Sequence, residues 1–270
     1  MYQIQASEVT DLVCELFLKA NRILPAGLKK TIEEARERET EPLARQALGD
    51  IAKNAELAAE KSMPICQDCG LAVVFAEVGQ EVIVTGGGFA DAINEGVRRA
   101  YKDGYLRKSV VVDPLFNRKN SGDNTPAVIH WNIVNGHNLS ITVSPKGMGS
   151  ENMSRIYMLK PADGAEGVIN SAVDAVRQAG PNPCPPIVVG IGIGGNFETV
   201  ALAAKRALVR EEGQRNQNPE YAELEQVILK RVNELGIGPG GYGGLTTALD
   251  VRIEVLPTHI AGMPMAVNIC

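Results

Sequence analysis

Apolar residues recur at helical spacing through the first quarter of the chain. Those between Val9 and Phe17 fall on one face of a predicted helix. A second, more charged helix is predicted over residues 27–39. Pro42, a residue type favoured in the first helical turn, begins a third helix that runs to about residue 60. Residues 1–62 are therefore predicted to form a helical layer.

Short apolar runs separated by turn residues predict strands in the rest of the chain. Residues 71–78 form an apolar run that predicts a strand, and residues 187–195 predict a buried strand that ends in glycines. Residues 128–134 and 139–143 instead alternate apolar and polar positions. The Asn135-Gly136 pair between these two segments predicts a tight hairpin.

Stretches of helical length alternate with the predicted strands. The clearest span residues 89–104 and 164–179, and each is closed by a glycine. We predict an α/β fold in which the helical N-terminal layer packs on mixed β-sheet(s). We expect one domain over residues 1–270, with residues 63–270 as its α/β core.

Charge and composition exclude several classes of protein. The chain of 270 residues has a formal net charge of −5, so an extensive nucleic-acid interface is not expected. No apolar run approaches the roughly 20 residues that span a membrane. The N-terminus lacks the basic and apolar regions of a signal peptide, so a cytoplasmic protein is expected. The five cysteines are an odd number for a disulfide framework and are expected to be reduced thiols.

One predicted loop places a thiol, an amide and a carboxylate next to one another. It runs from Pro64 to Gly70 and contains Cys66, Gln67 and Asp68. A thiolate binds soft metals, and a neighbouring carboxylate can move a proton. This loop is therefore the first candidate for a functional centre.

The spacing Cys66-x-x-Cys69 also occurs in zinc sites and in redox pairs. A structural zinc site needs a second such pair, and the sequence has none. The cysteines of a redox pair stand at the start of a helix, whereas a strand is predicted to follow here. Neither alternative is favoured.

Two more cysteines lie in constrained loops far from Cys66 in the sequence. Cys184 is surrounded by prolines, and Cys270 is at the last position. Three thiolates can hold a [4Fe–4S] cluster and leave one iron without a protein ligand. Spacing alone does not single out this cluster, because no compact ferredoxin pattern is present. Cys14 lies on the apolar face of the first helix and is expected to be a packing residue.

A glycine pattern indicates a function of a different class. Gly190-x-Gly192-x-x-Gly195 matches the dinucleotide fingerprint, which would suit a nicotinamide-binding oxidoreductase. The acidic residue expected about 20 residues further on is missing. Close packing of a strand against a helix explains the same glycines. His259, in a later loop, is open to either a structural or a catalytic interpretation.

Four motifs occur in order along the chain: PICQD (64–68), SPKGxGSEN (144–152), PCPP (183–186) and GIGIGG (190–195). Together they resemble the iron–sulfur class I fumarate hydratases, and the match extends to the L(+)-tartrate dehydratases of the same superfamily. The resemblance covers nearly the whole chain. The length of the chain suits a separate α subunit, equivalent to the N-terminal domain of the fused enzymes.

The resemblance implies a [4Fe–4S]-dependent hydro-lyase with a fold of the iron–sulfur fumarase N-terminal-domain type. The expected reaction is the hydration or dehydration of a small dicarboxylate. Fumarate to (S)-malate is expected first, with L(+)-tartrate to oxaloacetate as the alternative. A β subunit would complete the active site in an α2β2-type assembly, so the chain alone is expected to have little activity.

The resemblance also gives roles to single residues. Cys66 and Cys184 match two of the three cluster ligands of the family. Gln67 and Asp68 match residues that face the substrate, with Asp68 a candidate general base. Arg107 matches an arginine that binds a substrate carboxylate.

Further positions match less directly. Gly147 and Gly149 match a loop that contacts the substrate through its backbone, and His259 matches a position near the catalytic site. Cys69 stands where fumarases usually have threonine, and we interpret it as a neighbour of the cluster rather than a ligand. Cys270 comes one position earlier than the third ligand of the family. Either it is that ligand on a shortened loop, or the natural chain continues to another one.

Overall fold

The computed structural model describes residues 2–211 and 213–270, and these residues form the mixed α/β fold predicted from the sequence. The predicted single domain divides by its internal contacts into two compact units. Unit 1 comprises Met1–Leu24 and Asn54–Met148, and unit 2 comprises Pro25–Lys53 and Gly149–Cys270. The predicted helical layer, residues 1–62, is largely helical, but its helices are divided between the units.

The elements occur along the chain with the following bounds. The helices are α1 (Ala6–Arg22), α2 (Ala26–Arg38), α3 (Pro42–Lys61), α4 (Phe89–Asp103), α5 (Met148–Glu151), α6 (Gly164–Ala179), α7 (Thr199–Leu208) and α8 (Pro219–Asn233). The strands are β1 (Tyr2–Gln5), β2 (Leu71–Gly79), β3 (Val82–Thr85), β4 (Val128–Val134), β5 (Leu139–Lys146), β6 (Arg155–Leu159), β7 (Ile187–Gly195), β8 (Ala248–Thr258) and β9 (Met263–Ile269). None of the helices in the described part of the chain is long and apolar enough to cross a membrane.

Unit 1 contains a three-stranded sheet whose central strand is β2. The strand order is β4-β2-β5, with β4 parallel and β5 antiparallel to β2. The predicted hairpin is therefore wrong, because β2 lies between the two strands that Asn135-Gly136 connects. The connection passes over the end of β2, where the N–H of Gly79 donates to Asn138 O at 2.8 Å. A Cβ atom at Gly79 would lie 2.4 Å from Gly136 O, so only glycine fits beneath this turn.

Helices α1 and α4 pack together in the core of unit 1. Gly96 on α4 permits their close approach, since a Cβ atom there would lie 2.7 Å from both Thr10 O and the Cβ of Val13. Phe17 and Tyr101 are fully buried in the same core, which also includes residues of β2. A separate parallel pair, β1 and β3, completes the strands of unit 1.

Unit 2 contains a four-stranded sheet in the order β6-β9-β7-β8. Strand β8 is parallel and β9 antiparallel to β7, while β6 is antiparallel to β9. Almost every residue of β7 and β9 is buried. The sequence analysis predicted β7 but not β6 or β9.

The glycines of β7 allow the strand to pack closely on α7. A Cβ atom at Gly190 would lie 2.2 Å from Ala204 O, and one at Gly192 would lie 2.3 Å from Val200 O. The pattern Gly190–Gly195 lies within β7 rather than in a loop after it. These distances support the packing interpretation of the glycines rather than the dinucleotide fingerprint.

Candidate functional site

The Cys66 loop begins directly after α3 and is fixed at the residue before the cysteine. The N–H of Ile65 donates to Asn21 O at 2.8 Å. The Nδ2 atom of Asn54 donates to Ile65 O, also at 2.8 Å. Both backbone polar groups of Ile65 are thus satisfied, which leaves Cys66 as the first exposed residue of a fixed loop.

The thiol of Cys66 contacts the two residues that follow it. Its Sγ atom accepts a hydrogen bond from the N–H of Asp68 at 3.4 Å and donates to Gln67 Oε1 at 3.5 Å. Cysteine binds metals in its thiolate form. The thiol is exposed and is not in a disulfide.

The carboxylate of Asp68 accepts one backbone N–H on each oxygen. Gly70 donates to Oδ1 at 3.0 Å, and Met148 donates to Oδ2 at 2.9 Å. The loop of Gly147 and Gly149 was expected to contact the substrate through its backbone, and in the structure its Met148 N–H donates to the Asp68 carboxylate. A Cβ atom at Gly147 would lie 3.3 Å from Oδ2, so glycine keeps this approach open. Gly149, the other predicted loop residue, lies next to Met148 in sequence but belongs to unit 2.

Cys69 points away from the exposed side of the loop and is only 2% exposed. Its sulfur accepts the N–H of Arg107 at 3.2 Å and donates to Cys66 O at 3.6 Å. Burial raises the pKa of the Cys69 thiol. These contacts support the interpretation of Cys69 as a neighbour of the site, and they join the Cys66 loop to the segment that carries Arg107.

Two buried side chains that the sequence analysis missed hold the same region. The hydroxyl of Tyr101 donates to Cys69 O at 2.5 Å and to Gly70 O at 3.1 Å. Asn124, which is fully buried at a φ of 63°, donates to Gly70 O at 3.2 Å and accepts the N–H of Ser109 at 2.7 Å. Asn124 lies in a polar loop with several other Asn and Asp residues, so no sequence signal singled it out.

These contacts bring three of the predicted residues into one pocket of unit 1. The pocket has a volume of about 460 Å³. Its lining comprises Asn54, Pro64, Ile65, Cys66, Gln67, Cys69, Tyr105 and Arg107. Arg107 is the cationic side chain of this lining and is exposed. Tyr105, at 91% exposure and a φ of 53°, is a further pocket residue that the sequence analysis did not identify.

Unit 2 brings the other two candidate ligands to one end of β7. Cys270 and Val188 exchange backbone hydrogen bonds of 2.9 and 2.7 Å, which place Cys270 beside the start of β7. Cys184 lies three residues before β7 begins, in a loop where Pro185 O accepts the N–H of Gly240 at 2.7 Å. Both thiols are exposed and free.

His259 lies at the opposite end of β7. It follows Thr258, whose hydroxyl donates to Gly195 O at 2.9 Å at the last residue of that strand. At ~3.3 Å per residue, the span from Val188 to Gly195 is roughly 23 Å. Within unit 2 the structure therefore does not bring His259 to Cys184 and Cys270. Its imidazole Nδ1 instead accepts the N–H of Ala261 at 3.2 Å, within the turn between β8 and β9.

The chemistry of the donor atoms fits an iron–sulfur cluster. Cys66, Cys184 and Cys270 are three exposed free thiols, the soft ligands that such clusters take. In residues 2–211 and 213–270, no three His, Cys, Asp or Glu side chains form a ready-made metal site. The candidate ligands are instead divided, with Cys66 in unit 1 and the other two in unit 2.

Comparison with known proteins agrees with the family resemblance of the sequence motifs. A family model described as fumarate hydratase (Fumerase) matches residues 10–270. A putative L(+)-tartrate dehydratase subunit alpha from Methanocaldococcus jannaschii is 40% identical over 97% of this chain and 93% of its own length. The L(+)-tartrate dehydratase subunit alpha of Escherichia coli strain K12 is 28% identical over 98% of this chain and 88% of its own length.

Proposed function

This chain belongs to the fumarate hydratase (Fumerase) family of hydro-lyases, and from that premise we propose that it is the α subunit of a [4Fe–4S]-dependent dehydratase of small dicarboxylates. L(+)-tartrate, dehydrated to oxaloacetate, is the first candidate substrate because the similar proteins carry that name. This reverses the order of the sequence analysis, which placed fumarate first. The hydration of fumarate to (S)-malate is the second candidate, since the matching family model is described as fumarate hydratase.

The observation that carries this proposal is the pocket that places Cys66 beside Gln67 and Arg107. A soft metal ligand, an amide and a guanidinium there face the same space. That combination suits a substrate with a hydroxyl next to a carboxylate. The guanidinium would bind the carboxylate through two parallel hydrogen bonds, and the Gln67 amide would bind a substrate oxygen.

Cys66, Cys184 and Cys270 would hold the cluster. When bound, it supplies a Lewis acid at the iron that lacks a protein ligand, which makes the substrate hydroxyl a better leaving group. Arg107 and Gln67 orient the substrate so that the neighbouring C–H faces a base.

Asp68 is our candidate for that base. Its two oxygens are held by backbone N–H groups, and each oxygen has a further lone pair for a proton. The carboxylate takes the proton from the carbon next to the one that bears the hydroxyl, the C–O bond breaks, and hydroxide departs. With tartrate the product is the enol of oxaloacetate, which converts to the ketone. Proton transfer of this kind contributes about 10²–10⁴ in rate.

A dicarboxylate has a second carboxylate, and Arg107 can bind only one of the two. We propose that a β subunit supplies the remaining groups, in an α2β2-type assembly. The names of the similar proteins, which describe an alpha subunit, support a partner of this kind. The free thiols suit a cytoplasmic location, which we retain as a prediction. His259 is left out of the proposed site because of its distance from Cys184 and Cys270 along β7.

The test is to isolate the chain without oxygen from its native cells and to assay what is recovered. We expect a second chain in equal amount and conversion of L(+)-tartrate to oxaloacetate. Formation of fumarate from malate at a higher kcat/KM would favour the second candidate. A preparation with full iron content that converts neither L(+)-tartrate nor malate would overturn the proposal. Full turnover by the separated chain would show that catalysis does not require a β subunit.

A further inference from the structure

A group of polar side chains in unit 2 forms a connected network around Glu151. One carboxylate oxygen accepts Lys205 Nζ at 2.5 Å, and the other accepts Asn268 Nδ2 at 2.7 Å. Asn268 Nδ2 also lies 2.8 Å from Ser154 Oγ, and its Oδ1 accepts Lys205 Nζ at 3.3 Å. We call these four residues, Glu151, Ser154, Lys205 and Asn268, the Glu151 network.

The Glu151 network is largely removed from solvent. The side chains of Lys205 and Glu151 are 17% and 27% exposed, and Asn268 is 5% exposed. Hydrogen bonds between charged groups in such surroundings are stronger than at the surface, and the loss of one partner is correspondingly costly. The network therefore holds the elements that carry it in one arrangement.

Those elements lead to the candidate ligand Cys270. Glu151 ends α5, Lys205 is on α7, and Asn268 is on β9, two residues before Cys270. Side chains two residues apart on a strand point to the same face, so Asn268 and Cys270 share one face of the sheet. The N–H of Ile269, the residue between them, donates to Ser154 Oγ at 3.2 Å.

We propose that the Glu151 network is a positioning device that fixes the end of β9 and thereby the direction in which Cys270 presents its thiol. Its four members are positioning residues that act through Cys270. The proposal depends on the proposed function in one respect, namely that Cys270 is a cluster ligand. It also gives a role to Glu151, within the SPKGxGSEN motif, that is separate from the backbone contacts expected of Gly147 and Gly149.

A matched pair of substitutions separates positioning from general stability. Glu151→Gln leaves one oxygen for the two donors Lys205 and Asn268. Glu225→Gln makes the same change in a carboxylate that is fully buried in unit 2 and accepts Arg210 Nη2 at 2.5 Å and the N–H of Ile253 at 2.8 Å. Ile253 lies on β8, so this control does not touch β9.

The measurement is hydrogen exchange at single-residue resolution on the cluster-free full chain. In Glu151→Gln we expect the amides of Ile269 and Cys270 to exchange at least about fivefold faster than in the parent, because local opening becomes easier. In Glu225→Gln we expect these two amides to change by less than about twofold. Equal acceleration in both variants, or none in Glu151→Gln, would overturn the proposal. Lys205→Met, which removes the cation of the network, provides a second variant with the same expectation.

Iron release gives a second readout and separates this proposal from the proposed function. Parent and variants are reconstituted without oxygen, and loss of the visible cluster absorption is followed after a chelator is added. Glu151→Gln is expected to lose its cluster several-fold faster than Glu225→Gln. A parent that binds no iron contradicts the proposed function, while the exchange measurement still decides whether the Glu151 network fixes Cys270.

Discussion

Unit 1 holds Cys66 on a loop that individual side chains fix, whereas unit 2 holds Cys184 and Cys270 at the end of a strand ladder. In unit 1 the decisive contacts are side chain to backbone, from Asn124, Tyr101 and Cys69. In unit 2, by contrast, paired backbone bonds to Val188 hold Cys270 in the ladder, and the Glu151 network adds side-chain contacts at Asn268 and Ile269.

This difference predicts how each half of the site responds to substitution. A side chain that satisfies several backbone groups can be removed without unfolding the whole sheet, so the loss in unit 1 is local. The strand ladder of unit 2 depends on the packing of β7 against α7. This contact has no room for a side chain at Gly190 or Gly192. Added volume between β7 and α7 should therefore unfold the unit rather than misplace one cysteine.

The largest effect is expected from Gly192→Ala in unit 2. The new Cβ would lie 2.3 Å from Val200 O and 2.8 Å from Ala204 N, both backbone atoms of α7. We expect the free energy of unfolding to fall by at least about 3 kcal/mol. Gly262→Ala is the control, since its nearest neighbour would be 3.8 Å away and little change is expected. Denaturant unfolding of both variants measures the difference, and equal stability would show that β7 does not limit unit 2.

Asp68→Asn tests the chemistry of unit 1. The substitution removes the proton acceptor, so kcat of the complete complex should fall by about 10²–10⁴. Asparagine has one oxygen for the N–H groups of Gly70 and Met148, so a loss of about 1 kcal/mol in stability is also expected. Iron content is measured in parallel and should be unchanged. A kcat equal to that of the parent would exclude Asp68 as the base.

Asn124→Ala tests whether side chains hold the loop. The change removes the oxygen that accepts the N–H groups of Ser109 and Val110, and it removes one of the two side-chain donors to Gly70 O, the other being Tyr101. We expect a loss of about 2–4 kcal/mol in unfolding free energy and a higher KM for the substrate. Asn120→Ala in the same segment removes two exposed hydrogen bonds and should cost less than about 1 kcal/mol. Similar losses in both variants would contradict the role given to Asn124.

The smallest effect is expected from Arg107→Lys. Lysine keeps the positive charge but cannot reproduce the two parallel hydrogen bonds of a guanidinium. KM should rise about tenfold with little change in kcat, because the lost contact binds substrate before and during the reaction. Arg118→Lys, an exposed change in the loop that follows, should leave KM unaltered. An unchanged KM in Arg107→Lys would remove this residue from the site.

Local patterns predicted most elements of the fold but not how the strands pair. The predicted helices at 27–39, 89–104 and 164–179 are confirmed within one or two residues. The Asn135-Gly136 signal describes a chain reversal, but it contains no information about a third strand that inserts between its arms. The nearly continuous apolar run of β2, buried along most of its length, was the available sign of a central strand.

The sequence predicted the pocket residues Cys66 and Arg107 but not the buried side chains that hold the loop. Motifs mark residues whose chemistry is unusual in a loop, such as Cys66 and Arg107, and the structure brings these two into one pocket. Asn124 and Tyr101 act through backbone atoms of segments distant in sequence, so their partners cannot be identified before the fold is known. The same applies to the Glu151 network, where three elements meet.

The most direct measurement is the iron and sulfide content of the anaerobically reconstituted chain, compared among the parent, Cys66→Ser and Cys69→Ser. The two substitutions are identical in chemistry and three residues apart, but Cys66 is exposed and Cys69 is buried. We predict about four irons and a broad visible absorption band in the parent and in Cys69→Ser, and loss of both in Cys66→Ser. Full iron retention by Cys66→Ser, or an iron-free parent, would contradict the assignment of Cys66 as a cluster ligand.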